Sequence, residues 1–194
     1  LKQINSVCVY CGSSVRADKI FQEAAYNLGK LLAQHDIVLV YGGGKLGLMG
    51  LVADGALENG GKAVGFIPEY LDQFEGAHKG LDELHIVDSM HTRKLKMSER
   101  AGAFVILPGG FGTLDEFFEI LTWRQLEMHD KPIILVNING YWDPLIALIK
   151  QVVAHKFADK SDAELAIVVS SIEEIVPKLR RAPESQVEFA SQLV

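Results

Sequence analysis

Seven short apolar runs rich in β-branched residues, at 7–10, 37–41, 63–67, 84–87, 104–107, 133–137 and 167–169, punctuate the chain, and most are separated by segments of helical spacing. Runs of this length and composition read as strands buried on both faces. Phe21, Ala24, Ala25, Leu28, Leu31 and Leu32 recur at three and four residues, which buries one stripe of a helix between the first two runs. Further helices are expected over 46–59, 90–100, 113–129 and 144–155, with Gly60-Gly61, Gly102 and Pro132 ending the first three and Pro144 near the start of the last. Strand alternating with helix, through connections long enough for crossovers, predicts a single doubly wound (Rossmann-like) α/β domain with a mostly parallel sheet and helices on both faces. The domain is expected over 1–180, with 181–194 a C-terminal tail docked on the body or on a partner subunit. The polar stretch 70–81 lacks a period and reads as a surface loop or a lid.

In an open parallel sheet, ligands sit at the carboxyl ends of the strands, where loops run into helix N-termini. Three glycine-bearing turns qualify. In Leu107-Pro108-Gly109-Gly110-Phe111-Gly112-Thr113 the glycines let backbone approach an anion, Thr113 is placed to cap the following helix, and the helix dipole favours negative charge. In Tyr41-Gly42-Gly43-Gly44-Lys45-Leu46-Gly47 the GxGxxG spacing falls at Gly42, Gly44 and Gly47. A dinucleotide site also wants an acidic residue at the end of the next strand, whereas that strand ends Ile67-Pro68-Glu69, which weakens an NAD-dependent reading without removing it. Cys11-Gly12-Ser13-Ser14 supplies small residues and hydroxyls for a sugar or base. Cys8 and Cys11 form a C-x-x-C, but their separation puts them on opposite faces of a strand, so burial is expected rather than redox chemistry.

Charge limits the partners. With 19 Lys+Arg against 25 Asp+Glu the net charge is -6, the wrong sign for bulk attraction to nucleic acid or an anionic membrane, so an anionic ligand must be held locally. Met90-His91-Thr92-Arg93-Lys94, at the junction of a strand with the next helix, brings cations to the same sheet edge. His91 lacks a second histidine at zinc-ligand spacing, and no metal or cofactor is expected. Two cysteines and an N-terminal segment without an apolar secretory core lead to a cytoplasmic expectation.

Glu116 stands three residues past Thr113. The helix dipole and a nearby arginine are expected to keep it ionised, as a base or as a stabiliser of positive charge. Cleavage of an N-glycosidic bond builds oxocarbenium character on the ribose, and a carboxylate beside C1 stabilises that charge or activates water. Asp115 and Glu119 compete for the role, and spacing alone does not choose among the three.

The two motifs Met90-His91-Thr92-Arg93-Lys94 and Pro108-Gly109-Gly110-Phe111-Gly112-Thr113-Leu114-Asp115-Glu116 resemble the LOG family, the cytokinin riboside 5′-monophosphate phosphoribohydrolases often labelled lysine decarboxylases. The likeness runs through Cys11–Ser14, 41–50, His78-Lys79-Gly80, Thr122-Trp123 and Asp130-Lys131-Pro132, covering roughly residues 5 to 150, about one domain's length. It implies hydrolysis of AMP or an N6-prenylated adenosine 5′-monophosphate to free base and ribose 5-phosphate, with Arg93 and Glu116 catalytic. It further implies substrate contacts from Gly12, Ser13, Gly43, Gly44, Met90, Lys94, Gly109, Gly110, Phe111, Gly112 and Thr113. An acidic residue upstream falls on Glu75, with Asp72 or Glu83 as substitutes, and the resemblance implies a homodimer or larger. The decarboxylase label fails on chemistry, because no lysine sits in a recognisable pyridoxal phosphate context. A non-catalytic nucleotide sensor or carrier on the same sheet is the alternative, which would have no need of Glu116.

Overall fold

The computed structural model describes residues 4–182, 187 and 189. The elements run β1 (Ser6–Tyr10), α1 (Lys19–Gln34), β2 (Val38–Tyr41), α2 (Gly47–Leu57), β3 (Ala63–Pro68), α3 (Glu69–Glu75), β4 (Glu83–Val87), α4 (Met90–Arg100), β5 (Ala103–Ile106), α5 (Phe111–Gln125), β6 (Ile133–Val136), α6 (Asp143–Ala154), β7 (Ala166–Val169) and α7 (Ile175–Arg181). The seven strands form one sheet in the order β4-β3-β2-β1-β5-β6-β7, and every pair is parallel. The chain winds outward from β1 to β4, then returns to the other side of β1, so the strand order reverses between β1 and β5. That reversal opens a crevice at their carboxyl ends.

Alternation along the strands divides the core in two. Val7, Val9, Leu39 and Tyr41 face α1, α2 and α7, whereas Cys8, Tyr10, Val40 and Phe104 face α4, α5 and α6. Cys8 and Cys11 are buried, free and on opposite sides of the sheet. The helices α1 and α2 approach closely because Gly29 and Gly55 lie where a Cβ would overlap the Val52 and Tyr26 carbonyls. This packing holds the start of α2 against the β1 loop, where Leu48 N–H donates to the Gly12 carbonyl at 2.9 Å.

Two segments are more ordered than the sequence suggests. Within the stretch expected to be a loop or lid, α3 begins directly after Pro68, and the chain that follows is pinned to the second glycine turn by His78 N–H on the Gly43 carbonyl at 2.9 Å. The packed body reaches past residue 180, since α7 buries Ile175, Val176 and Leu179, and Ala182 is buried as well. Of the expected tail, residues 183–186, 188 and 190–194 lie outside the described residues, while the Phe189 ring packs beside Trp123 and His129. His129 is itself buried, its Nε2–H donating to the Ile120 carbonyl at 2.9 Å and its Nδ1 accepting from Lys131 N–H at 3.2 Å. Burial pushes its pKa down to about 4, so the ring is neutral at ordinary pH.

Candidate active site

At the crevice the β1 and β5 loops touch through Gly12 N–H on the Pro108 carbonyl, 3.1 Å apart. Beyond them α5 starts at Phe111. Gly110 is its N-cap, in an extended conformation and without a side-chain cap, and its carbonyl accepts the first intrahelical bond from Leu114 N–H at 3.0 Å. The amides of Phe111, Gly112 and Thr113 precede that bond and face outward without an intrahelical acceptor. Thr113 is therefore not the cap that the sequence suggests. The helix opens two residues earlier, and Thr113 is buried in its first turn, its hydroxyl lying where any side chain on Gly109 would sit.

Ser89 caps α4, its hydroxyl accepting from Thr92 N–H at 3.1 Å, and this places Arg93 one turn in, facing the sheet. Arg93 is buried, 6% exposed as a residue. Its Nε–H donates to the Phe66 carbonyl at 3.0 Å, Nη2 to the Gly42 carbonyl at 3.0 Å and Nη1 to Met90 Sδ at 3.6 Å. Arginine has five N–H donors, so two remain for a ligand. Gly42 has a specific purpose here, because a Cβ on it would occupy the space of Arg93 Nη2.

Glu116 lies on the inner face of α5, 9% exposed, with no hydrogen-bond or ion-pair partner among the described residues. Burial pushes its pKa up to about 7; the Arg93 charge opposes this more than Lys94 does, and the charges of Asp115 and Glu119 add to it. The expectation that the dipole and an arginine keep this carboxylate ionised is thereby corrected. Desolvation outweighs the arginine and the helix dipole, and near neutrality both protonation states are populated. Asp115 and Glu119, the rival carboxylates, are both taken by Lys94 Nζ, at 3.0 and 2.9 Å.

Arg93 and Glu116 line one cleft of 430 Å³ with Gly12, Ser13, Gly44, Met90, Gly110, Phe111, Gly112 and Thr113. The rest of its wall includes Cys11, Gly42, Met49, Ile67, Leu71 and Asp115, the last held by Lys94. Other residues singled out in the sequence lie elsewhere. Gly43 has a φ of +74° and turns its carbonyl to His78, Gly109 lines a neighbouring hollow, and Lys94 ties α4 to α5. Glu75 ends α3, but its side chain is outside the described residues. Asp72 Oδ1 accepts Ala77 N–H at 2.7 Å, and Glu83 binds His85 and Arg100 at 3.1 and 3.3 Å, so both are engaged outside the cleft.

The family model described as possible lysine decarboxylase matches residues 49–179. A cytokinin riboside 5′-monophosphate phosphoribohydrolase of Rhodococcoides fascians is 42% identical over 176 residues, 90% of this chain and 89% of the relative. The chain belongs to the LOG family. A probable enzyme of that name from rice, Oryza sativa subsp. japonica, is 44% identical over 89% of this chain and 71% of its own length. Among solved structures, the molybdenum cofactor binding protein of Rippkaea orientalis superposes with a TM-score of 0.71 at 21% identity, covering 92% of this chain and 96% of that one, which shows a shared fold. Within this LOG-family cleft, the apolar residues Met49, Ile67 and Leu71 escaped the sequence reading. Ile67 carried a usable signal, being the last apolar residue of a strand at the ligand edge. Met49 and Leu71 reach the cleft from helices whose orientation only the packing decides.

Among the described residues no helix is long and apolar enough to cross a membrane, and no cluster of three or more His, Cys, Asp or Glu is placed to hold a metal ion.

Proposed function

We propose that the protein hydrolyses the N-glycosidic bond of a purine nucleoside 5′-monophosphate, AMP or an N6-prenylated form of it, releasing free base and ribose 5-phosphate. The observation that carries this reading is Glu116, an unpartnered carboxylate on the inner face of α5, beside Arg93 and one turn beyond three outward amides. The 5′-phosphate sits on the Phe111–Thr113 amides, drawn by their N–H groups and the positive end of α5. The ribose then lies over Glu116. As the C1–N bond lengthens, the ionised carboxylate stabilises positive charge on the ribose and takes a proton from the attacking water, while the departing base acquires a proton. A base with a pKa of about 7 is stronger than an ordinary carboxylate yet still half ionised at neutral pH. Arg93, with two free N–H bonds and a buried charge, holds substrate oxygens and favours the ionised form of Glu116.

The names of the relatives support this substrate class, and the apolar wall of Met49, Ile67, Leu71 and Met90 suits a purine bearing an isoprenoid group. The enzyme works as a homodimer or larger assembly in the cytoplasm, without a cofactor. Among the described residues no lysine lines the cleft, which disfavours Schiff-base chemistry there. The test is a base-release assay across AMP, isopentenyladenosine monophosphate, GMP, CMP and adenosine. Adenine release from AMP with little from adenosine is expected; equal turnover of those two removes the phosphate seat, and no release from any nucleotide leaves a binding protein.

A further inference from the structure

The peptide unit between Gly109 and Gly110 is flanked by two residues without Cβ atoms, so the barrier and penalty that normally oppose a flip of the peptide plane are small. Its orientation matters. A trans peptide is planar with its C=O and N–H on opposite sides, so whichever way the Gly109 carbonyl points, the Gly110 N–H points the other way. One side chain fixes the choice: Tyr141 Oη–H donates to the Gly109 carbonyl at 2.7 Å. No acceptor among the described residues takes the Gly110 N–H, which the planar unit directs away from Tyr141.

Tyr141 is placed by its neighbours in the chain and by ring packing. It follows the left-handed residues Asn139 and Gly140, with φ of 51° and 70°, which turn the chain sharply after β6. Its ring packs edge-on against Phe21 of α1, with centroids 5.2 Å apart, and against Trp142, at 4.7 Å. The hydroxyl thus belongs to a half-exposed ring set between Phe21 of α1 and Trp142 at the start of α6, and it reaches a turn 32 residues earlier in the chain.

We propose that Tyr141 is a positioning residue that locks the Gly109–Gly110 peptide so that the turn before α5 presents N–H rather than C=O to the substrate's phosphate. A flipped peptide would set a carbonyl oxygen against the anion. This rests on the reading of that turn as the phosphate seat, and Tyr141 acts through the turn without touching the reacting atoms.

The test compares wild type with Tyr141→Phe, which keeps the ring and its packing. Calorimetric titration with ribose 5-phosphate and steady-state kinetics on AMP are measured for both. Loss of the lock weakens ribose 5-phosphate about 5-fold and raises KM for AMP by a similar factor, while kcat stays within about 2-fold and the weak turnover of adenosine is unchanged. A second variant, Phe21→Leu, keeps the hydroxyl but loosens its frame and is expected to give a smaller loss in the same direction. Unchanged ribose 5-phosphate affinity in Tyr141→Phe overturns the proposal, whatever happens to its melting temperature, as does an equal fall with AMP and adenosine. Failure of the wild type to bind ribose 5-phosphate at all overturns the phosphate seat itself, and is distinguished by needing no variant to see it.

Discussion

Glu116, the proposed general base, should also cost the fold stability, because it is buried without a partner among the described residues. In an unfolded chain it ionises near 4.5, and in the cleft it is pushed up to about 7. Below both values it is protonated in either state and pH has no leverage. As pH rises between them the unfolded chain releases its proton first, so unfolding is favoured progressively, and above about 7 the full penalty is present. At about 1.4 kcal/mol per pKa unit that penalty is ~3 kcal/mol. Glu116→Gln cannot ionise, so its stability relative to wild type should improve by up to this amount between about pH 4 and pH 8, measured by urea denaturation. The same variant should lose at least ~100-fold in kcat while still binding ribose 5-phosphate. A pH-independent difference in stability would show that the carboxylate is not desolvated as described. Lys94 acts on the same titration from outside the cleft. Lys94→Met leaves Asp115 and Glu119 uncompensated, so the acidic limb of the kcat/KM profile should move to higher pH, whereas a lysine that only grips substrate would raise KM and leave the limb in place.

At the scale of elements, the glycine turn after β2 illustrates what a motif can and cannot disclose. Its spacing announces a strand-turn-helix junction and suggests a dinucleotide loop. In the fold, Gly42 serves instead to admit the Arg93 guanidinium from α4, 51 residues away. Gly42→Ala would press on the end of that side chain, not on backbone, so the protein should fold with a loss of no more than about 1–3 kcal/mol. Activity should fall far more, by at least ~10-fold, because the guanidinium is displaced from its proposed place against substrate; wild-type turnover in a folded Gly42→Ala protein would refute this seating. The seven strands were legible as short β-branched runs, and five of the helices by apolar periods or boundaries marked by glycine and proline; the expectation that every strand is buried on both faces fails for β4, which lies at the sheet edge with only Val87 buried. The helix α3 was not legible, since it is short and none of Glu69–Phe74 is buried, so no apolar stripe marks it, and α7 follows a 3-10 turn that blurs its period. Most of the candidate site residues, chosen for their chemistry, line one cleft, while Gly43, Lys94 and Gly109 do not. The burial of Glu116, the diversion of Lys94 and the carbonyl partners of Arg93 depend on which strands lie side by side, and no local pattern carries that.

On the scale of the whole molecule, the order of the strands places the crevice between β1 and β5, and the two core halves leave different outer surfaces. The α4–α6 side is the less complete. Phe118 on α5, Leu148 and Val152 on α6 and Phe157 beyond it are 39%, 49%, 37% and 85% exposed, and a groove between α5 and α6 joins Phe118, Val152 and Phe157. An apolar patch of this kind on a chain with net charge -6 is more readily explained by contact with a second copy than by solvent. Because α5 carries Glu116 on its inner face and Phe118 on its outer one, association there would brace the helix whose first turn is the proposed phosphate seat. Sedimentation equilibrium should therefore give about twice the 21.3 kDa chain mass, and Phe118→Glu, which buries a charge in a two-fold contact, should shift it to the monomer. A dimer that survives Phe118→Glu and Val152→Glu together would move the contact to another face, for which the exposed Leu84 and Ile86 on the edge strand β4 offer the next apolar surface.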